Sequence, residues 1–218
     1  MAFPRANIKN FIKNAIPDSL LMHRLPSSEK KSVLLTFDDG PDPENTPLIL
    51  DRLGTYDCQA IFFVVGKRIE AAPDIFDMVV SRGHIIGNHT YNHPNRIMTS
   101  ISEFRNEILQ CDQIIKERTG RSPQLVRPPL GLSPAILFAS LLQKLKIVLW
   151  SIEGGEWGVH KYDDTSKIIE RLNKNLCPQD ILLLHDDNCR TIDILDGLLP
   201  LLQQKGINLS PKFSNIMP

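Results

Sequence analysis

The sequence predicts an α/β fold, with about seven parallel strands and intervening helices arranged as a β/α barrel. Three observations carry this expectation. Apolar strand-like runs alternate along the chain with segments of helical spacing. No G-x-G-x-x-G follows the first run, so a doubly wound dinucleotide-binding sheet, the other arrangement such a pattern allows, loses support. The unusual polar residues stand at the C-terminal ends of strands, the face on which barrels build their sites.

The candidate strands are 32–37, 60–65, 84–88, 124–127, 146–150, 180–184 and 206–209. Helical signals fall between them. "NTPLILDRL" has Pro47 near its first turn, and "PDIFDMVVSRG" runs from Pro73 to a terminal Gly83. "SISEFRNEILQCDQIIKERTG" carries a capping box, Ser100 with Glu103, and repeats Phe104, Ile108, Cys111 and Ile115 on one face. "SPAILFASLLQKL" opens with Ser133 as N-cap and Pro134 at the first helical position. "DDTSKIIERLNKNL" and "TIDILDGLLPLLQQKG" complete the set, and Pro200 should kink or restart the latter.

The chain has 218 residues and a formal net charge of zero, so bulk charge gives no reason to expect nucleic acid as a partner. Residues 31–218 read as one catalytic domain and residues 1–30 as an N-terminal arm. No window reaches the ~18 unbroken apolar residues of a transmembrane segment. The first residues show no apolar core or cleavage site of a secretory signal, which leads to a cytoplasmic expectation. A weaker alternative is peripheral membrane contact through residues 1–20, where Ile8, Phe11, Ile12, Ala15 and Ile16 fall at helical spacing around Lys9 and Lys13. Cys58, Cys111, Cys177 and Cys189 are scattered with no C-x-x-C pair, which fits free thiols in a reducing compartment.

The chemistry begins at "SVLLTFDDGPDP", where a buried strand ends in Asp38 and Asp39, then Gly40-Pro41. Paired carboxylates repel, so the pair makes sense where the two do different work around a cation. "HTYNH" spaces His89 and His93 four apart; on one helical turn they would share a face and meet one metal. One carboxylate of the Asp38–Asp39 pair would complete a His-His-Asp set with open positions for water and substrate. Such a set suits Zn²⁺ and also accepts Co²⁺, Ni²⁺ or Fe²⁺. The other carboxylate would accept a proton from water. Arg127, in "VRPPLG", is the natural partner for that base, since a guanidinium holds a carboxylate in a fixed fork. His185, after the apolar run "ILLL", is a candidate general acid at a barrel mouth.

"TFDDGP", "HTYNH", "RPPLG", "WSIEGGEW" and "LLLH" occur in an order that resembles the polysaccharide deacetylases of carbohydrate esterase family four, which share the nodulation-protein deacetylase domain. The resemblance runs from about Ser32 to about Leu209 and includes "AIFFVVG". It implies a distorted β/α barrel and a metal-dependent hydrolase that removes N-acetyl groups from amino sugars in a carbohydrate substrate. It implies Asp38 as catalytic base, Asp39, His89 and His93 as metal ligands, and Arg127 as the residue that orients the base. The Leu130 amide would help hold the oxyanion, and Leu183 would line the acetyl pocket. Trp157 would wall the groove, and His185 would be the acid. Two departures stand out: Glu153 and Glu156 replace the usual aspartates, so Glu156 would inherit the pairing with His185, and Leu130 stands where an aromatic is common. The competing readings are an O-acetyl esterase, a non-sugar amidohydrolase, or a degenerate deacetylase that binds glycan without turnover.

Overall fold

The computed structural model describes residues 16–94, 100–132 and 134–217. Its eight strands are β1 Leu21–Met22, β2 Leu34–Asp38, β3 Ala60–Val64, β4 Ile85–Asn88, β5 Leu125–Val126, β6 Lys146–Val148, β7 Ile152–Glu153 and β8 Ile181–His185. They form one parallel sheet in the order β1-β6-β5-β4-β3-β2-β8-β7. From β2 to β6 each strand lies beside its successor, which is barrel winding; a doubly wound sheet would reverse. β1 and β7 remain as edges, so the sheet curls into a half-barrel without closing.

The helices are α1 Asn45–Thr55, α2 Gly66–Ala71, α3 Pro73–Ser81, α4 Ile101–Thr119, α5 Pro134–Leu142, α6 Thr165–Asn175 and α7 Arg190–Gln204. The local signals explain several of them. The Ser100 hydroxyl accepts from the Glu103 amide while the Glu103 carboxylate accepts from the Ser100 amide, which starts α4; left-handed Gly120 ends it. Phe104, Ile108, Cys111 and Ile115 are the buried stripe of that helix.

All five residues of β2 are buried, as in a parallel strand covered on both faces. Leu35 and Phe37 belong to the large core cluster that also holds Ile49, Leu195 and Leu198 of the flanking helices. Leu34 packs in a second cluster with Ile61, Phe63 and Leu125, which fills the inside of the curl. Thr36 and Asp38 share that inner face by the two-residue period of a strand. The inside is therefore apolar at the bottom and carboxylate-bearing at the C-terminal rim.

Several expectations change. Residues 206–209 form no strand; Asn208 makes one isolated bridge with Ser32, just after the turn at left-handed Gly206. β1 and β7 are additional strands, each two residues long and too short to show a period. Leu21 and Met22, counted in the arm, are buried and pair with β6, so the sheet begins inside residues 1–30. α7 runs through Pro200 without restarting. The expected cap Ser133 lies outside the described residues, as does the N-terminal amphipathic stretch apart from Ile16, which packs on the cluster holding Leu21 and Ile147. Among the described residues no helix is long and apolar enough to cross a membrane.

Candidate active site

β2 and β8 are paired so that Asp38 stands opposite His185. Parallel partners in register put their side chains on the same face, which brings a carboxylate and an imidazole to one rim. Asp38 ends its strand there. Asp39 turns with φ 77, and the Gly40–Pro41 peptide is cis. The sharp exit lets both carboxylates reach one centre. Gly40 has a separate reason to be glycine: a Cβ there would overlap the Asp186 carboxylate. Asp186 is buried, accepts a 2.6 Å hydrogen bond from the Thr46 hydroxyl, and donates its amide to the Asp38 carbonyl.

Arg127, just beyond β5, is fully buried beneath Asp38. Its Nη1 donates to Asp38 Oδ1 at 2.7 Å and to the Thr36 hydroxyl at 2.7 Å. Its Nε and Nη2 donate to the Val148 and Leu149 carbonyls at 2.9 and 3.1 Å. The guanidinium also lies 4.2 Å from the centre of the Phe63 ring. The charge is thus paired and its donors are largely satisfied, as a buried ion requires. This arrangement fixes the Asp38 carboxylate in position.

Asp39, His89 and His93 bring one ligand atom each within 4.8 Å of one another. Asp39 Oδ1 lies 3.3 Å from His89 Nε2 and 3.2 Å from His93 Nε2. It is buried and makes no hydrogen bond. Ligands about 2.1 Å from a tetrahedral ion stand about 3.4 Å apart, so these spacings suit an ion between them. His89 Nδ1 lies 2.6 Å from the Arg127 carbonyl oxygen. That oxygen can only accept, so Nδ1 carries the proton and Nε2 of neutral His89 offers its lone pair. The residues fit a divalent cation.

The two imidazoles converge through a loop, not the helical turn the spacing would also allow. Thr90 and His93 are left-handed, with φ 70 and 52. Asn88 Oδ1 accepts from the Thr90 amide at 2.7 Å, and the Thr90 hydroxyl accepts from the His93 amide at 3.2 Å. Glu107 of α4 accepts from the Tyr91 and Asn92 amides at 3.1 and 2.7 Å and from the Asn92 side chain at 2.7 Å. Asn88 and Glu107, which sequence reasoning missed, therefore hold the ligand loop. Asn88 is bound in turn by Asp112 at 2.6 Å.

His185 Nδ1 lies 3.0 Å from Glu156 Oε1, and Glu156 is only 2% exposed. Glu153 points elsewhere and accepts from Trp150 Nε1 at 3.0 Å. Trp157, 49% exposed, sets its ring edge against His185 with 6.5 Å between centres. Leu130, 57% exposed and left-handed at φ 60, lies across the same cleft of 430 Å³, and Leu183 is at its floor. Of the ten site residues named from the sequence, Asp38, Asp39, His89, His93, Leu130, Glu156, Trp157, Leu183 and His185 line this cleft, and Arg127 lies under it.

The electrostatics follow from this crowding. Burial would raise the Asp39 carboxyl, but His89 and the charges of His93 and His185 hold it well below the usual carboxylate range. Burial lowers His93, and a protonated His89 beside it lowers it further when no cation holds the His89 lone pair. Burial also opposes a charged His185, yet Glu156, then Asp38 and Asp39, outweigh it and lift the imidazole to about 9. The rim is a concentrated negative centre, the setting a cation occupies.

Against known proteins, the family model described as polysaccharide deacetylase matches residues 26–148. A peptidoglycan-N-acetylglucosamine deacetylase of Bacillus cereus is 37% identical over 184 residues, covering 81% of this chain and 65% of that protein. A second protein of the same name and organism is 34% identical over 202 residues, covering 89% and 92%. A crystal structure of a peptidoglycan N-acetylglucosamine deacetylase in complex with 4-naphthalen-1-yl-N-oxidanyl-benzamide superposes with TM-score 0.79 at 34% identity, over 89% of this chain and 91% of that one. The chain thus spans about two thirds of one relative and nearly all of the other.

Proposed function

Because the chain belongs to the polysaccharide deacetylase family, we propose that it hydrolyses the N-acetyl group of amino sugars in a glycan, with N-acetylglucosamine of peptidoglycan or its precursors as the substrate class. The observation that carries the reading is the pairing of Asp38 with His185 across β2 and β8, a carboxylate and an imidazole beside one candidate metal centre. A binding protein has no evident use for that pair.

Asp39, His89 and His93 would hold the cation, with zinc first among Zn²⁺, Co²⁺, Ni²⁺ and Fe²⁺ for two imidazoles and a carboxylate. When bound, such an ion supplies Lewis acidity toward water and the acetyl carbonyl. Asp38, held by Arg127, accepts the proton of the attacking water. The Leu130 amide donates to the oxygen that becomes negative in the tetrahedral intermediate. His185, kept charged by Glu156, gives its proton to the departing amine nitrogen. Leu183 receives the acetyl methyl, and Trp157 and Leu130 flank the sugar.

The test is acetate release from acetylated chito-oligosaccharides, muropeptides and lipid-linked precursors, with metal content measured beforehand. Release from amino-sugar N-acetyl groups, abolished in Asp38→Asn, is the expected result. Release only from O-acetylated glycans would establish the esterase reading. No release from any substrate by metal-loaded protein would leave a glycan-binding role.

A further inference from the structure

The Glu156 side chain folds back over its own loop, and its carboxylate fills the space where a side chain at position 154 would stand. A Cβ on Gly154 would overlap Glu156 Oε2 and Leu184 Cδ2 and lie 3.1 Å from Glu156 Cδ. Gly154 is not one of the left-handed glycines, unlike Gly155 at φ 103. Space, not backbone freedom, is therefore what position 154 requires.

The backbone there has little room to retreat. The Gly154 amide donates to the Leu183 carbonyl of β8 at 2.7 Å. The Gly154 carbonyl accepts from Arg171 Nη2 of α6 at 2.6 Å, and the same nitrogen bonds the Glu153 carbonyl at 2.9 Å. Leu184 on the other side belongs to the packed core. The mobile partner in any collision is the far end of Glu156. Its Oε2 is buried without a hydrogen bond, so little holds the carboxylate besides the 3.0 Å contact of Oε1 with His185.

We propose that Gly154 is a positioning residue for the reaction: its missing side chain admits the Glu156 carboxylate to His185 Nδ1, so residues 154 and 156 act as a matched pair. The catalytic part of this inference rests on His185 serving as the acid, while the steric part does not. The charged groups that face His185 are Glu156 from the loop, Asp38 and Asp39 from the end of β2, and Asp187 beyond β8.

The experiment is a double-mutant cycle of Gly154→Ala and Glu156→Asp with two readouts. The first is the titration of the His185 ring by NMR in chelator-treated protein. The second is the pH–rate profile for acetate release by the metal-loaded enzyme. Gly154→Ala should lower the His185 midpoint by about one pH unit or more, because the carboxylate is displaced. The alkaline limb should move with it, at a cost of about tenfold in rate along that limb. In the Glu156→Asp background the same alanine should move the midpoint by less than about 0.3 pH unit and the rate by less than about twofold, because the shorter side chain does not extend over position 154. Equal effects in both backgrounds would assign the collision to Leu184 and overturn the proposal, as would an unchanged His185 titration in Gly154→Ala. If Gly154→Ala alone fails to fold, a folded double variant supports the matched pair and an unfolded one overturns it. Were the wild type to release no acetate, the deacetylase reading would fall while the NMR cycle still decided the steric one.

Discussion

The Arg127 residue grips Asp38 with its side chain at 2.7 Å and His89 with its main-chain carbonyl at 2.6 Å, so one buried residue fixes both the base and a ligand of the candidate metal centre. The two functions separate on mutation. Arg127→Ala removes the guanidinium and leaves Asp38 buried without its cation, which should destabilise the protein by about 3–5 kcal/mol in urea unfolding. The carbonyl survives, so metal content of the folded fraction should stay near wild type. Arg127→Lys cannot repeat the four-way bonding and should recover only part of the loss.

Base and ligand are distinguished in the same way. Asp38→Asn should retain the metal and lose about 10²–10⁴-fold in rate, since an amide cannot accept the proton. His89→Ala should lose metal and activity together. Metal analysis beside steady-state kinetics reads both, and an active Asp38→Asn enzyme would remove Asp38 from the mechanism.

Glu156→Gln should act through His185. The folded imidazole is lifted to about 9 from an ordinary 6.5, so the Glu156 contact contributes stability that is full below pH 6.5 and lost as pH rises through about 9. In chelator-treated protein the stability gap between wild type and Glu156→Gln should therefore close between these values. In the loaded enzyme, whose cation pulls the imidazole back toward neutrality, Glu156→Gln should shift the alkaline limb of activity to lower pH with metal content unchanged. A profile identical to wild type would exclude Glu156 from the acid's environment.

Glu107 should matter without touching substrate. Three donors of the loop between His89 and His93 end on its carboxylate. Glu107→Ala should weaken metal binding about 10–100-fold, as expected of groups that orient ligands. A chelator competition titration measures this. Unchanged affinity would mean that Asn88 and Thr90 suffice to hold the loop.

The site was legible where polar residues interrupt apolar runs. Asp38-Asp39 and His185 end strands, and His89 and His93 advertise themselves by spacing. What lay beyond reach was whatever depends on distant chain. Glu107 bonds a loop fifteen or sixteen residues away, and nothing in its local sequence marks it among the other acids of its helix. Arg127 has an evident carboxylate partner, but its bonds to the Val148 and Leu149 carbonyls arise only once β6 lies beside β5. The fold divided similarly. Strands within longer apolar runs showed themselves, even β5 and β6 of two and three residues, whereas β1 and β7, two residues each, exist because a neighbouring strand offers an edge. The 206–209 run was apolar enough for a strand but follows a left-handed turn that leaves only Asn208 in bridging position.

Four residues around the cleft, Asp39, Thr90, His93 and Leu130, have φ of 77, 70, 52 and 60. Such backbone costs non-glycine residues of order 1 kcal/mol each or more, so drift under selection for thermal robustness alone would carry these positions toward glycine or asparagine. Three are restrained from that drift by what their side chains do: a carboxylate and an imidazole among the candidate ligands, and a hydroxyl that caps the His93 amide. Leu130 has no such tether, since its aliphatic tip lies largely in solvent. It is the place on the rim where an engineer could exchange residues most freely, gaining robustness with glycine or reshaping the glycan groove with an aromatic, while the main-chain donor stays in the chain.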